Sequence, residues 1–252
     1  MDLELKGKTA IVTGGSRGIG KAVARELALE GVDVAIVART QVPLEAAANE
    51  LAQETGRRII AIPADTGLDE SVRSMVSRAA EAFGHLDILV NCAAQAGGYG
   101  PVPALSDITN DHFWSDMNIK VMGYLRCARE VAPFMRQQGC GRIINISGLA
   151  ARQSGTTIGS MRNVSVAAMT KNLADELGPH GINVTVVHPG TTRTERMSEE
   201  TAQRVAQNNS VRRTIDARDI AHIVAFLASP KSVAITGDAI AAGGGVGRGI
   251  YY

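Results

Sequence analysis

The sequence predicts a single-domain, doubly wound α/β fold spanning residues 1–252, a parallel sheet with helices on both faces. Three observations predict it. Short β-branched runs alternate with longer amphipathic stretches. The runs are apolar almost throughout, as expected when helices cover both faces of a parallel sheet. A glycine-rich turn joins the first run to the first helical stretch.

The strand runs are Thr9–Val12, Val32–Val37, Arg58–Ile62, Leu86–Val90, Arg142–Ile146 and Ile182–Val187. A last strand lies near Asp238–Ala241, ahead of the glycine-rich tail Gly243–Gly247. Helical patterns fill the gaps, the first of them over Lys21–Glu30. No proline-rich linker, low-complexity run or internal repeat marks a second domain.

Composition narrows the function classes. Apolar residues make up 45% and charged residues 20% of the 252 positions, proportions of a globular domain that needs no disulfide or metal to hold a core. With 26 basic and 25 acidic residues, no charge excess points to nucleic acid or an anionic membrane. Cys92, Cys127 and Cys140 lie far apart, with no metal-ligand spacing, and fit reduced thiols. The acidic, polar start Met1–Lys8 does not read as a signal peptide, and no apolar run is long enough to span a membrane. A cytoplasmic protein is expected.

Gly14, Gly18 and Gly20 directly follow a strand and precede a helix, the context in which such a turn binds a dinucleotide in a Rossmann-like fold. Glycines let the backbone of Gly14, Ser16, Arg17, Gly18, Ile19 and Gly20 approach a pyrophosphate, whose charge is favoured by the helix N-terminus. The second strand ends in Ala38-Arg39, where an NAD-binding domain carries an acidic residue for the ribose hydroxyls. Asp33 lies at the wrong end of that strand. Arg39, with Arg17, can instead pair with a 2′-phosphate, which favours NADP over NAD.

These residues, with others in register, resemble the classical short-chain dehydrogenase/reductase family over essentially the whole chain. The matches are the spacing TGxxxGxG, then Asp65 and Thr66 after the third strand, and Asn91-Cys92-Ala93-Ala94 after the fourth. Asn118, Ser147, Pro189-Gly190 and Thr194 follow in the family's order. The resemblance implies that Asp65 meets the adenine, that Asn91 contacts the cofactor and that Pro189-Gly190 passes beside the nicotinamide. Asp65 and Asn91 can also be read as turn or capping residues, and Pro189-Gly190 as a loop turn.

The resemblance breaks where the family carries a tyrosine and a lysine one helical turn apart, a pair in which the lysine holds the nicotinamide ribose and lowers the tyrosine pKa. Aligning residues 166–174 with the family's helix puts Gly159 at the tyrosine position and Asn163 at the lysine position. No tyrosine occurs between Tyr124 and Tyr251, and no lysine between Lys120 and Lys171, so another register does not restore the pair. General acid–base catalysis contributes about 10²- to 10⁴-fold, so hydride transfer is weakened and not abolished.

Several groups stand near the gap. Arg162, about 100° from the lysine position around an ideal helix, reads as a solvated surface arginine. Tyr99 shapes a pocket, Tyr251 and Tyr252 could reach a neighbouring subunit, and His188 reads as a satisfied strand-end histidine. His112, Phe113 and Trp114 read as core or subunit interface. The resemblance also implies a homotetramer or homodimer, which the small-residue face Ala167, Ala168 and Ala174 would permit. The expectation is an NADP(H)-dependent oxidoreductase acting on a small carbonyl or alcohol, with Ser147 and Asn118 ordering water or the substrate oxygen, no metal, and Asn163 on the cofactor. The alternative is a catalytically inactive NADP(H)-binding sensory or regulatory protein.

Overall fold

The structure is a computed structural model and describes residues 1–95, 103–247 and 249. In chain order the strands are β1 (Thr9–Thr13), β2 (Asp33–Ala38), β3 (Ile59–Pro63), β4 (Ile88–Asn91), β5 (Gly141–Ile146), β6 (Ile182–Pro189), β7 (Thr192–Arg193), β8 (Ile215–Asp216) and β9 (Ala239–Ala242). The helices are α1 (Gly18–Leu29), α2 (Gln41–Thr55), α3 (Asp69–Phe83), α4 (Asn110–Met117), α5 (Gly123–Gln138), α6 (Thr157–Leu177), α7 (Glu199–Gln207) and α8 (Ala217–Ala228). A π-helical turn, Asn118–Met122, joins α4 to α5.

The strands form a parallel sheet in the order β3-β2-β1-β4-β5-β6-β9, while β7 and β8 pair in a separate ribbon. Both faces are covered. Val23 and Leu27 of α1, Leu44 and Leu51 of α2, and Ile220 and Val224 of α8 close one face. Val72 and Met75 of α3, Val131 and Met135 of α5, and Ala174 and Leu177 of α6 close the other. Each such side chain contributes about 1.5–3 kcal/mol by leaving water, and the burial explains why the strands lack alternation.

The expected strands are present, with ends displaced by up to two residues. The first helix begins at Gly18 instead of Lys21, because the glycines of the turn form its first turn. Two expectations are corrected. Trp114 stands 64% exposed against the edge of Phe113, and α4 buries no residue, so this cluster is not core. Ala174 packs into the domain's own core, while Ala168 is exposed, so the two do not make one interface face.

The chain runs outward from β1 through β2 to β3, then returns to place β4 on β1's other side. That reversal opens a crevice at the carboxyl ends of β1 and β4, where ligands bind in open α/β sheets. The buried Thr13 hydroxyl fastens the crevice, accepting the N–H groups of Cys92 (3.1 Å) and Ala93 (3.2 Å). The tail after β9 folds back toward the same end, with Val246 packed near Gly190. Among the described residues no helix is long and apolar enough to cross a membrane, and no side-chain cluster could hold a metal ion.

Replacing Thr13 by valine keeps the shape but leaves both N–H groups without their acceptor. Thr13→Val is expected to lower unfolding stability by about 1–3 kcal/mol in denaturant titration.

Candidate functional site

Gly14 follows β1 with φ +70°, and a Cβ there would lie 3.0 Å from the backbone of Cys92 and Ala93. At Gly20 a Cβ would overlap the Gly14 carbonyl oxygen. Both positions therefore require glycine, and together they aim the start of α1 into the crevice. Arg17, the residue before α1, offers no side-chain cap, and the first turn carries no acidic residue. Its amide donors and the positive end of the helix therefore face the cleft. Within the protein, the Glu195 carboxylate accepts the Gly18 N–H at 3.0 Å. An internal carboxylate thus stands where an external anion would bind.

The cleft has a volume of about 530 Å³ and runs from Arg39 past the glycine turn to Ser147. Ser16, Arg17, Ile19, Asp65 and Thr66 line it, as do Ala93 and Ala94 beyond β4. Arg17, Arg39 and Arg196 are exposed on its walls, and none has an acidic partner among the described residues. Asp33 instead pairs with Arg57 at 2.6 Å, away from the carboxyl end of β2. Arg196 and Glu195 lie on the loop after β7, and their place in the cleft depends on a long-range contact that no local motif marks.

Asp65 lines the cleft and also accepts the Gly67 N–H at 2.8 Å, so its turn role is real whatever else it binds. Thr66 is 4% exposed, and its carbonyl accepts from Arg126. The Asn91 side chain is fully buried, donating to Asn145 at 2.9 Å, and does not line the cleft. Asn118 donates its side-chain amide to the Gly67 carbonyl at 3.2 Å and its own carbonyl accepts from Arg126. It too lies outside the cleft wall, so its side chain binds the loop after β3 in this structure.

Ser147, at the end of β5, connects this cleft to a second lobe of about 430 Å³. Asn163, Pro189, Gly190 and Arg162 line that lobe. The Ser147 hydroxyl donates toward the carbonyl and side-chain oxygens of Asn163, each at 3.2 Å. Gly159 is buried one turn earlier on α6, and a Cβ there would overlap the Thr156 hydroxyl. Arg162 is corrected from a solvated residue. It pairs with Asp116 of α4 at 2.6 Å, with only 19% of its side chain exposed.

Tyr124 is buried and donates its hydroxyl to the Ile146 carbonyl at 2.9 Å, and burial holds its pKa well above the ordinary value. It supplies no proton to the cleft. His188 is buried, accepts the Gly148 N–H on Nδ1 at 3.4 Å, and is pushed down to about 4 by burial with Arg152 and Lys120 nearby. The satisfied strand-end reading holds for it. Tyr99, Tyr251 and Tyr252 lie outside the described residues.

Sequence reasoning missed Lys120. The residue is 5% exposed, its ammonium group donates to the Ser147 carbonyl at 2.9 Å, and it lines the cleft. On a straight helix Lys120 would point about 200° away from Asn118. The π turn adds a residue at this point, with the Gly123 N–H reaching back to the Asn118 carbonyl, and Lys120, not Asn118, lines the cleft.

Residues 14–247 match the family described as enoyl-(acyl carrier protein) reductase. The chain is 36% identical over 248 residues to the short-chain reductase protein NovJ of Streptomyces niveus, covering 94% of this chain and 92% of that protein. The L-sorbose reductase of Gluconobacter frateurii, solved with NADPH and L-sorbose, superposes with a TM-score of 0.89 at 27% identity, covering 99% of this chain and 100% of that one. A short chain dehydrogenase from Burkholderia cenocepacia, solved with NADP, gives a TM-score of 0.83 at 34% identity, covering 96% and 98%.

Glu195 competes with any anion brought to the start of α1. Glu195→Gln is expected to tighten NADPH binding by about 2- to 5-fold in a fluorescence titration at low salt, the size of one helix-terminus charge interaction.

Proposed function

The chain belongs to the short-chain dehydrogenase/reductase family of oxidoreductases, and on that premise we propose that it uses NADP(H) to reduce a small carbonyl or oxidise the matching alcohol. The observation that carries this reading is the continuous path from Arg39 to Ser147, with the start of α1 between two clusters of suitable polar groups. The cradle at Gly14 and Gly20 and the carboxylate on Gly18 fit a pyrophosphate in that place. Such a cofactor supplies a hydride at its nicotinamide end.

Gly14, Ser16, Arg17, Gly18, Ile19 and Gly20 hold the pyrophosphate on backbone N–H groups. Arg39 and Arg17 face the 2′-phosphate, and the absence of an acidic partner among the described residues leaves both guanidinium groups ready for it. Asp65 and Thr66 border the adenine. Asn91 acts through the backbone that follows it, since its side chain braces β4 against β5. Pro189 and Gly190 border the nicotinamide, and Asn163 acts there through Ser147.

Ser147 is placed to orient the substrate oxygen because it alone of the polar residues named for catalysis lines both lobes. Asn118 acts as a positioning residue, holding the loop of Thr66 and Gly67 against the π turn. Gly159 and Asn163, standing where the family has its tyrosine and lysine, provide no ionisable group. The proton relay is therefore modified. A homo-oligomer is supported by Trp114, Met122, Met161 and Val164, exposed apolar side chains on α4, the π turn and α6.

The test is a fluorescence titration with NADPH and NADH, followed by stopped-flow oxidation of bound NADPH against carbonyls, quinones and enones. NADPH is expected to bind at least tenfold more tightly than NADH, and Arg39→Ala to remove that preference. Equal binding of the two cofactors would refute the role of Arg39. Tight NADPH binding without oxidation by any member of the panel would favour a sensory or regulatory protein.

A further inference from the structure

Both lobes meet at Ser147, and hydride transfer to a carbonyl there needs a proton for the oxygen that develops charge. Tyr124 is tied to the Ile146 carbonyl, and Gly159 and Asn163 carry no proton that can be exchanged near neutral pH. Lys120 does. We propose that Lys120 is the proton donor for carbonyl reduction in this chain, reaching the junction of the two lobes from the π turn beside Ser147.

Geometry supports the assignment first. The ε-ammonium group spends one of its three hydrogens on the Ser147 carbonyl, leaving others for a substrate oxygen held by the Ser147 hydroxyl. Lys120 is fixed from both sides. Gly123, next to the π turn, packs so closely on Thr66 that a Cβ there would lie 3.1 Å from its carbonyl, and Arg126 binds both the Thr66 and Asn118 carbonyls. These contacts hold the π turn against the loop after β3.

Charge supports it second. The groups facing Lys120 are Cys92 beyond β4, Asp116 on α4, Arg162 on α6 and His188 on β6. Burial pushes the Cys92 thiol up to about 12 and His188 down to about 4, so both are neutral at pH 7. Asp116 is paired with Arg162, so no unpaired carboxylate among the described residues holds Lys120 charged. Burial, aided by Arg162 and opposed by Asp116 and Cys92, lowers Lys120 from 10.5 to about 7. A donor with a pKa near the working pH is efficient in general acid catalysis.

In the reaction the hydride, with its electron pair, forms a C–H bond at the carbonyl carbon. The π pair moves to oxygen, an N–H bond of Lys120 breaks and an O–H bond forms. The carbonyl is reduced to an alcohol, the nicotinamide is oxidised, and neutral Lys120 regains its proton from solvent. Because the charged amine is the donor, reduction slows as pH rises through about 7, and oxidation of the alcohol speeds up.

This proposal rests on the oxidoreductase reading, and the experiment separates the two. Single-turnover oxidation of bound NADPH by a responsive carbonyl would be followed across pH in the wild type, Lys120→Met and Lys120→Arg. The expected result is a fall centred near pH 7 in the wild type and a loss of about 10²-fold or more, with that inflection gone, in both variants. NADPH affinity is expected to change less than twofold, and the melting temperature of Lys120→Met to stay level or rise. NMR of the lysine ε-carbon, assigned by the signal missing in Lys120→Met, reads the amine without turnover and is expected to titrate near 7. Turnover and an inflection retained in Lys120→Met, or titration of Lys120 near 10, would overturn the assignment alone. No oxidation of NADPH by any carbonyl in the wild type would overturn the oxidoreductase reading and this proposal with it.

Discussion

The loop after β1 approaches the loop after β4 so closely that one added methyl group at Gly14 would lie 3.0 Å from the backbone of Cys92 and Ala93. The rest of the site depends on this contact. It fixes where α1 begins, and so where unpaired amide donors point. It also holds the ends of β1 and β4 together through the Thr13 hydroxyl, so that β5 can place Ser147 at the inner end of the same crevice. A side chain at Gly14 or Gly20 would move the helix and the strand ends apart, and no surface charge could restore the path between them.

Along that path the electrostatic setting changes. At the outer end, Arg17, Arg39 and Arg196 are exposed, which suits anchoring phosphates without a desolvation cost. At the inner end, Lys120, Tyr124 and His188 are buried and Cys92 half-buried, and desolvation shifts each toward its neutral form. One end therefore suits binding and the other proton exchange, in surroundings where a single charge acts strongly. The pair formed by Arg162 and Asp116 lies between these regimes, each charge satisfying the other at the mouth of the second lobe.

Much of the fold was legible because its signals are local. Apolar runs such as residues 9–13 and 182–187 report burial on both faces, and glycines between strand and helix report a tight turn. The glycines of the turn, Arg39 and Ser147 were legible for the same reason, since each sits at a strand end whose position follows from the alternation. Lys120 was not, because the motif reading put the inward-facing position at Asn118, and a residue two further on points about 200° away around an ideal helix. Glu195 and Arg196 reach the cleft across a separation of about 180 residues in the chain, which no spacing rule records. Asn91 and Asn118 do not line the cleft, because their side chains spend their hydrogen bonds on Asn145 and Gly67. Trp114 was read as core or subunit interface, and its exposure removes only the core reading, because large apolar size alone does not report burial.

One continuous cleft is proposed to bind phosphate at α1 and deliver the nicotinamide to Ser147 and Lys120. A crystal structure of the protein with NADPH is the decisive measurement. The expected result is the pyrophosphate on the amides of Gly18 and Ile19 with Glu195 displaced, the 2′-phosphate between Arg17 and Arg39, and the nicotinamide ring beside Ser147 and Lys120. A cofactor bound with its 2′-phosphate away from both arginines, or with its nicotinamide outside the junction of the two lobes, would contradict it.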